Sequence, residues 1–375
     1  MLALVLLSVS PLLENSIRFP IILALLLLRA KGFSRQPVAR STILLFLLLT
    51  TAMVFASCLD VGNCTGGAQY SILNIYFPVC LAYGLVVSSF YSLSELVRYL
   101  GNIAYVGACF SLVGMTMIYF APSLIAFLPS YTYGGYTHKT AIVFNILYAD
   151  GFLVMRNAGF AREPGVFQML LNIGVLAEIE NKRDGQILRL VVLGIALVLT
   201  ESTIGLAIYA FLILKMIKSV PSAKYLFLIV ALGFSVQIWQ MISYQLTTKL
   251  VGSESFGIRY DPMIRAFEVG ACHFFGLGNT GYTLTYAAGG YGSFDSFSQL
   301  LIRYGYIPLA LVCLLYLGIA KCNFWLFLIL FLTSLSQSIW YEPLITTLLF
   351  VSFSQMKLGS ERANHRTVLA EGSNR

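Results

Sequence analysis

LRLVVLGIALVLTESTIGLAIYAFLIL, residues 188–214, is an apolar run broken at its middle by Thr200-Glu201-Ser202-Thr203. Basic residues mark both ends: Lys182 and Arg183 just before it with Arg189 at its start, and Lys215, Lys218 and Lys224 after. A single helical crossing of the hydrocarbon layer takes about 20 apolar residues, and short basic loops stay on the cytoplasmic side. Both flanks therefore belong on the same side, yet the run is too long for one turn and too short for two full crossings. A broken hairpin resolves the conflict. Two half-length helices rise from one side, meet at the polar quartet and return, which places Glu201 near the outer half of the membrane. Irregular backbone at that depth is tolerated only where it is buried in protein or lines a wet cavity.

Working outward, the composition is 58% hydrophobic and 11% charged, against about a quarter charged in soluble domains. This predicts an all-α, polytopic integral membrane protein. Candidate spans fall near 2–13, 17–28, 42–59, 72–91, 98–120, 164–179, 188–214, 224–244, 297–319, 324–340 and 343–356, about 10 to 12 helices in all. They make one transmembrane domain over 1–356, followed by a cytoplasmic, disordered tail over 357–375. The first 28 residues have the hairpin form around Glu14-Asn15-Ser16, and the run Leu2–Leu13, with no basic leader, reads as a retained segment. The loop with Arg29, Lys31, Arg35 and Arg40 and the tail from Lys357 join the two basic flanks on the cytoplasmic side. Loops 60–71, 121–163 and 245–296 then face outward. The last two are the longest connections, and long loops on a compact scaffold carry function. No internal repeat of the inverted-transporter kind is present.

The net charge of +8 reflects these orientation signals, so no nucleic-acid partner is expected. Cys58, Cys64, Cys80, Cys109, Cys272, Cys313 and Cys322 show no metal spacing, and only Cys58 and Cys64 are placed for a disulfide. His138, His273 and His365 are scattered, no Asp-x-Asp pair lies in an outer loop, and no Ser-His-Asp or Cys-His arrangement can be built from spacing. No metal and no cofactor are expected.

The outer loops concentrate the charge. Arg156-Asn157-Ala158-Gly159-Phe160-Ala161-Arg162-Glu163-Pro164-Gly165 ends as a helix start: Pro164 suits the first turn and Glu163 complements the positive end of the dipole. On the plain structural reading Arg156 and Arg162 merely flank a membrane helix. Two arginines at an outer entrance are, however, on the disfavoured side. Guanidinium groups grip diphosphates through paired hydrogen bonds, which suits a lipid-phosphate substrate. Loop 245–296 repeats the pattern with Arg259, Asp261, Arg265 and Glu268, then Gly276-Leu277-Gly278. With no strand before it, that glycine pair is better read as a tight turn or close backbone approach than as a nucleotide loop. Tyr282, Tyr286 and Tyr291 offer aromatic surface for a sugar, or simply a membrane belt. Asp295 reads as a helix cap. Arg303 falls about two turns into the next span, where an ionised side chain faces a cavity or a partner. Residues 140–148 suggest an interfacial helix lying beside the site as a lid.

Taken in order, Arg156 with Gly159-Phe160 and Glu163-Pro164-Gly165, then Thr200–Gly205, then Arg265 with Gly276-Leu277-Gly278, then Asp295-Ser296 and Tyr304-Gly305 resemble the O-antigen polymerases of the Wzy type. The motifs cover residues 150–310; elsewhere the likeness is of hydropathy only. The resemblance implies a metal-independent glycosyltransferase of the bacterial inner membrane that joins undecaprenyl-diphosphate-linked repeat units on the outer face, with a chain-length regulator as a possible partner. It implies that Arg156 and Arg265, with Arg162 and Arg259, contact the diphosphate or the transferring sugar. The proton acceptor is Glu163, Asp295 or Glu201, in that order, and Arg303, Gly276, Gly278 and Tyr282 complete the substrate site. Related ligases and many polymerases carry an arginine in the hairpin, where this chain has Ser202-Thr203-Ile204-Gly205, and ligases tend to carry a histidine where it has Asp295. Both departures favour polymerase over ligase. A flippase would spread its charges over several helices instead of gathering them in outer loops.

Overall fold

The computed structural model describes residues 5, 18, 20–25, 38–60, 68–121, 123–133, 136–140, 145–148, 156–181, 185–219, 254–289 and 295–372. The spans expected at 2–13 and 224–244, the Glu14-Asn15-Ser16 hairpin and Cys64 lie outside the described residues. Cys58 carries a free thiol.

The chain is mostly helical. Helices α1 (Arg40–Asp60), α2 (Ala68–Ser88) and α3 (Leu93–Phe120) come first, with a single turn α4 (Leu124–Phe127) after them. The central helix α5 (Pro164–Glu180) is followed by α6 (Gln186–Val198) and α7 (Thr203–Ser219). After these come α8 (Glu254–Cys272), α9 (Gly278–Gly289), α10 (Ser296–Tyr304), α11 (Tyr306–Cys322), α12 (Phe324–Ser334) and α13 (Pro343–Gly372). Among the described residues two helices, over Arg40–Cys58 and Leu93–Phe120, are long and apolar enough to cross a membrane, and several shorter apolar helices accompany them.

Helix α5 is the axis of the bundle. Every residue from Pro164 to Ile179 is buried, as expected of a helix that is apolar all round. It packs on α3, α6, α7 and α12. Small residues let the backbones approach: an added Cβ at Gly101 would meet Ala177, and one at Gly174 would meet Ala104 and Leu193. The polar positions of α5 bond internally. Gln168 Nε2 donates to the Gly165 carbonyl (2.9 Å) and Thr333 Oγ1 (3.2 Å), and Asn172 Nδ2 donates to Gln168 Oε1 (2.9 Å) and the Gly205 carbonyl (3.2 Å). At one end of the bundle Glu180 accepts from Lys215 Nζ (2.6 Å) and from Asn323 Nδ2 (3.2 Å).

The broken hairpin is formed: α6 and α7 meet at a turn through Thr200–Ser202, where Glu201 takes a positive φ of 50°.

Elsewhere the structure corrects the sequence reading. Loop 121–163 holds a four-stranded antiparallel sheet, β1 (Ser130–Tyr133), β2 (Tyr136–Thr140), β3 (Asn145–Tyr148) and β4 (Arg156–Gly159), in that order across the sheet. This small sheet is an addition to a mostly helical chain that is otherwise consistent with all-α, and β3 and the end of β2 stand where an interfacial helix over 140–148 was expected. Thr and Tyr around Gly134-Gly135 are a hairpin signature that outweighs the short apolar run. The single span 297–319 is two helices, because Gly305 (φ 78°) breaks it. The span 324–340 stops at Ser334 and continues irregularly. The segment from Lys357 continues α13 as helix to Gly372, in keeping with its helix-forming Glu, Arg, Ala and Leu residues. Loop 245–296 is itself largely helical, as α8 and α9.

Candidate functional site

Strand β4 brings Arg156 to the hairpin tip. The last carbonyls of a helix have no intrahelical partner, and β4 supplies donors for those of α6. Asn157 N–H donates to the Leu199 carbonyl (3.0 Å) and Asn157 Nδ2 to the Ala196 carbonyl (3.3 Å). Arg156 donates through Nε to the Thr200 carbonyl (3.1 Å) and through Nη2 to that of Glu201 (3.3 Å). A cation at a helix C-terminus also complements the dipole. Arg156 and Glu201, both expected in the site, are thus joined, but through the Glu201 backbone.

Arg162 points elsewhere. Past the turn at Gly159, whose positive φ of 52° places its Cα against the Phe167 ring, Arg162 is buried and ion-paired with Glu342, and its Nη2 donates to the Ser338 carbonyl (3.1 Å). Arg18 reaches the other oxygen of Glu342 (3.4 Å). The acid that offsets an arginine at this helix entrance is therefore Glu342, which the sequence reading missed. The available signal was that Glu342-Pro343 repeats the Glu163-Pro164 pattern inside an apolar stretch. Glu163 occupies the N-cap of α5 in extended backbone, and its side chain makes no capping bond.

Segment 335–342 ties the site together. Gly165 packs on the Gln337 side chain, Ser296 Oγ donates to the Gln337 carbonyl (2.6 Å) and accepts from Ile339 N–H (2.9 Å). Trp340 Nε1 donates to Gln299 Oε1 (3.4 Å). Asp295 caps α10 by accepting from Phe297 N–H (2.8 Å) and Ser298 N–H (3.0 Å), and the Ser298 hydroxyl bonds its second oxygen. The cap explains Asp295 without a catalytic role. Asp295→Ala is expected to cost about 1 kcal/mol, read as a lowered melting midpoint of the detergent-solubilised protein; an unchanged midpoint would mean that the cap contributes nothing.

Arg303 sits in the last turn of α10, 9% exposed. Its guanidinium lies 4.0 Å from the Tyr282 ring centroid and 5.1 Å from that of Phe77. Tyr282 OH accepts from Gln299 Nε2 (3.0 Å), and Phe77 packs on Trp340 (5.2 Å) and Tyr341 (4.9 Å). Arg303 Nε and Nη1 are buried without a hydrogen-bond partner among the described residues. Two unmade bonds cost about 2–6 kcal/mol together and two desolvated cation–π contacts return about 4 kcal/mol, so the rings offset the burial of the charge but leave the N–H groups themselves unanswered. The glycines expected to cradle a ligand instead approach backbone: Gly276 (φ 80°) lies against the Arg303 carbonyl, and Leu277 N–H donates to the Ile302 carbonyl (2.7 Å). Gly278 takes φ 71° at the start of α9.

Arg265 is not among these contacts. It is half-exposed on α8, pairs with Glu268 (2.9 Å) and lines an open cleft of about 400 Å³ with Cys272, His273 and Thr285. Arg259 lies on α8, its side chain outside the described residues. No family model, curated protein or solved structure matches this chain. Among the described residues no three His, Cys, Asp or Glu side chains lie close enough to hold a metal ion. The chemistry on view is that of cations, the half-buried acids Glu163, Glu201 and Asp295, the buried Glu342 and aromatic faces.

Proposed function

We propose that the chain is a polytopic membrane glycosyltransferase of the O-antigen polymerase type, acting on undecaprenyl-diphosphate-linked repeat units at the outer face of a bacterial inner membrane. One observation carries this reading: three separated stretches that resemble that family converge at one end of the bundle. Arg156 bonds the carbonyls of Thr200 and Glu201, and Gly165 and Ser296 both contact Gln337.

In the reaction the acceptor hydroxyl attacks the anomeric carbon of the donor, the bond from that carbon to the diphosphate breaks, and the lipid diphosphate leaves with the electron pair. Arginines offset its charge by the logic of an anion hole. Glu163 takes the hydroxyl proton, since its carboxylate is not committed to a cap whereas that of Asp295 is. Arg156, Arg162, Arg259 and Arg265 are the cations in question, with Arg162 partly neutralised by Glu342.

The test is glycan analysis. Arg156→Ala and Arg265→Ala are each expected to cut polymer about a hundredfold, the loss of one charge-stabilising donor, leaving single repeat units while the protein stays in the membrane. Normal chain-length ladders from both variants would remove the assignment. Long lipid-linked polymer in their place would indicate a ligase, and failure of the purified wild type to extend chains in detergent would favour transport.

A further inference from the structure

We propose that Arg303 is the centre of a binding site for the phosphate head of an amphiphile, an inference drawn from the surroundings of this arginine and not from glycosyl transfer. Its guanidinium carbon lies over the Tyr282 and Phe77 rings, 4.0 and 5.1 Å from their centroids. Stacking leaves the N–H edge unanswered, and that edge is the part of an arginine that grips phosphate oxygens. Nε and Nη1 on it are buried with no hydrogen-bond partner among the described residues.

The surrounding polar groups are engaged elsewhere. Gln299 spends its amide on Tyr282 OH and Trp340 Nε1, and Asp295, two turns back on the same helix, caps α10. Among the described residues Arg18 and Arg162 pair with Glu342, Arg189 with Glu178 and Arg265 with Glu268, and no carboxylate pairs with Arg303. A buried cation that served packing alone would be expected to have such a partner.

The tail of the ligand is indicated by what adjoins Arg303. The Phe274–Gly276 backbone lies against the end of α10, where Tyr306 N–H donates to the Phe274 carbonyl (3.1 Å). Phe274 and Phe275 are 53% and 44% exposed, and Phe55 meets Phe275 at 5.4 Å. An apolar strip therefore runs beside the buried cation. A free phosphate matches the cation only; a lipid phosphate matches both.

Purified full-length protein in neutral detergent is probed separately with inorganic diphosphate, a long-chain prenyl diphosphate and phosphatidylglycerol, reading the melting midpoint and tryptophan fluorescence. At least one lipid is expected to raise the midpoint where inorganic diphosphate at equal concentration does not, and the responding lipid identifies the source. Arg303→Met is expected to melt at or above the unliganded wild type, because an apolar side chain of similar length removes an unpaired buried charge, and to weaken lipid binding at least tenfold. Arg303→Lys is expected to keep the fold and to lose most of the binding, since it lacks the planar fork. The proposal is overturned if no probe shifts the wild type, if the shift survives in both variants, if inorganic diphosphate acts as well as the lipids, or if Arg303→Met melts well below wild type, which would make Arg303 structural.

Discussion

Replacing Glu342 with alanine is expected to destabilise the protein by about 3–5 kcal/mol, the cost of breaking a buried ion pair from one side. Glu342 is 2% exposed and receives both Arg162 and Arg18, themselves 5% and 4% exposed. Removing it leaves two buried guanidinium groups facing a hole, each desolvated and each repelling the other. That is a large part of the roughly 5–15 kcal/mol that ordinary domains possess. The damage should spread, because Arg162 lies two residues before the start of α5, and Glu342 directly before the start of α13. Glu342→Gln retains the shape and hydrogen-bonding oxygen and should fall between alanine and wild type. Melting of the detergent-solubilised protein, followed by monodispersity on gel filtration, reads the outcome. A Glu342→Ala protein as stable as wild type would show that solvent reaches the triad and that the pairing contributes little.

Gly305→Ala is expected to cost about 2–6 kcal/mol by joining two effects. The backbone at Gly305 (φ 78°, ψ −166°) lies in a region open essentially to glycine alone, which by itself costs other residues about 1–3 kcal/mol. An added Cβ would also overlap the Phe274 carbonyl, which accepts the Tyr306 N–H, and overpacking costs about 1–3 kcal/mol more. Gly185 supplies the control. It too has a positive φ, 73°, but nothing lies within 4 Å of its Cβ position, so Gly185→Ala should cost only the left-handed penalty of about 1–2 kcal/mol. The difference between the two melting shifts isolates the close approach of Phe274–Gly276 to the end of α10. Equal shifts would mean that this approach is loose and that the glycines serve conformation only.

The site was only partly legible in advance, and particular residues show why. The hairpin at 188–214 was readable because its length and flanking charges are incompatible with any simple crossing. Asp295 was readable as a cap because a cap is a local interaction, formed with residues two and three places on. Glu342 was not singled out. Its partners lie 180 and 324 residues away, and no local pattern encodes a pairing at that distance. Arg156 and Arg162 looked like one cluster because they are neighbours in sequence. The turn through Gly159 sends them to different partners, one to the carbonyls of the hairpin and one to Glu342. The strands between 130 and 159 were misread because they are short and because the Gly134-Gly135 hairpin signal lies outside the apolar run 140–148 that was read at helical length.

Sequence alone determined which segments are apolar, where the helices near 42–59, 72–91, 98–120 and 164–179 lie, where Pro164 starts α5, and that charge gathers in a few stretches. These follow from side-chain chemistry and from interactions within a few residues, which the order of the chain contains directly. Tertiary structure decided which arginine is neutralised and which is not. Arg162 and Arg303 are both buried arginines at helix ends, and nothing local distinguishes them. One meets a carboxylate delivered by the far end of the chain; the other meets the faces of two aromatic rings and no acid among the described residues. The difference arises because α2, α9 and the segment before α13 converge around α10, and in a low-dielectric interior a cation's behaviour depends on whether its partner is a charge or a ring.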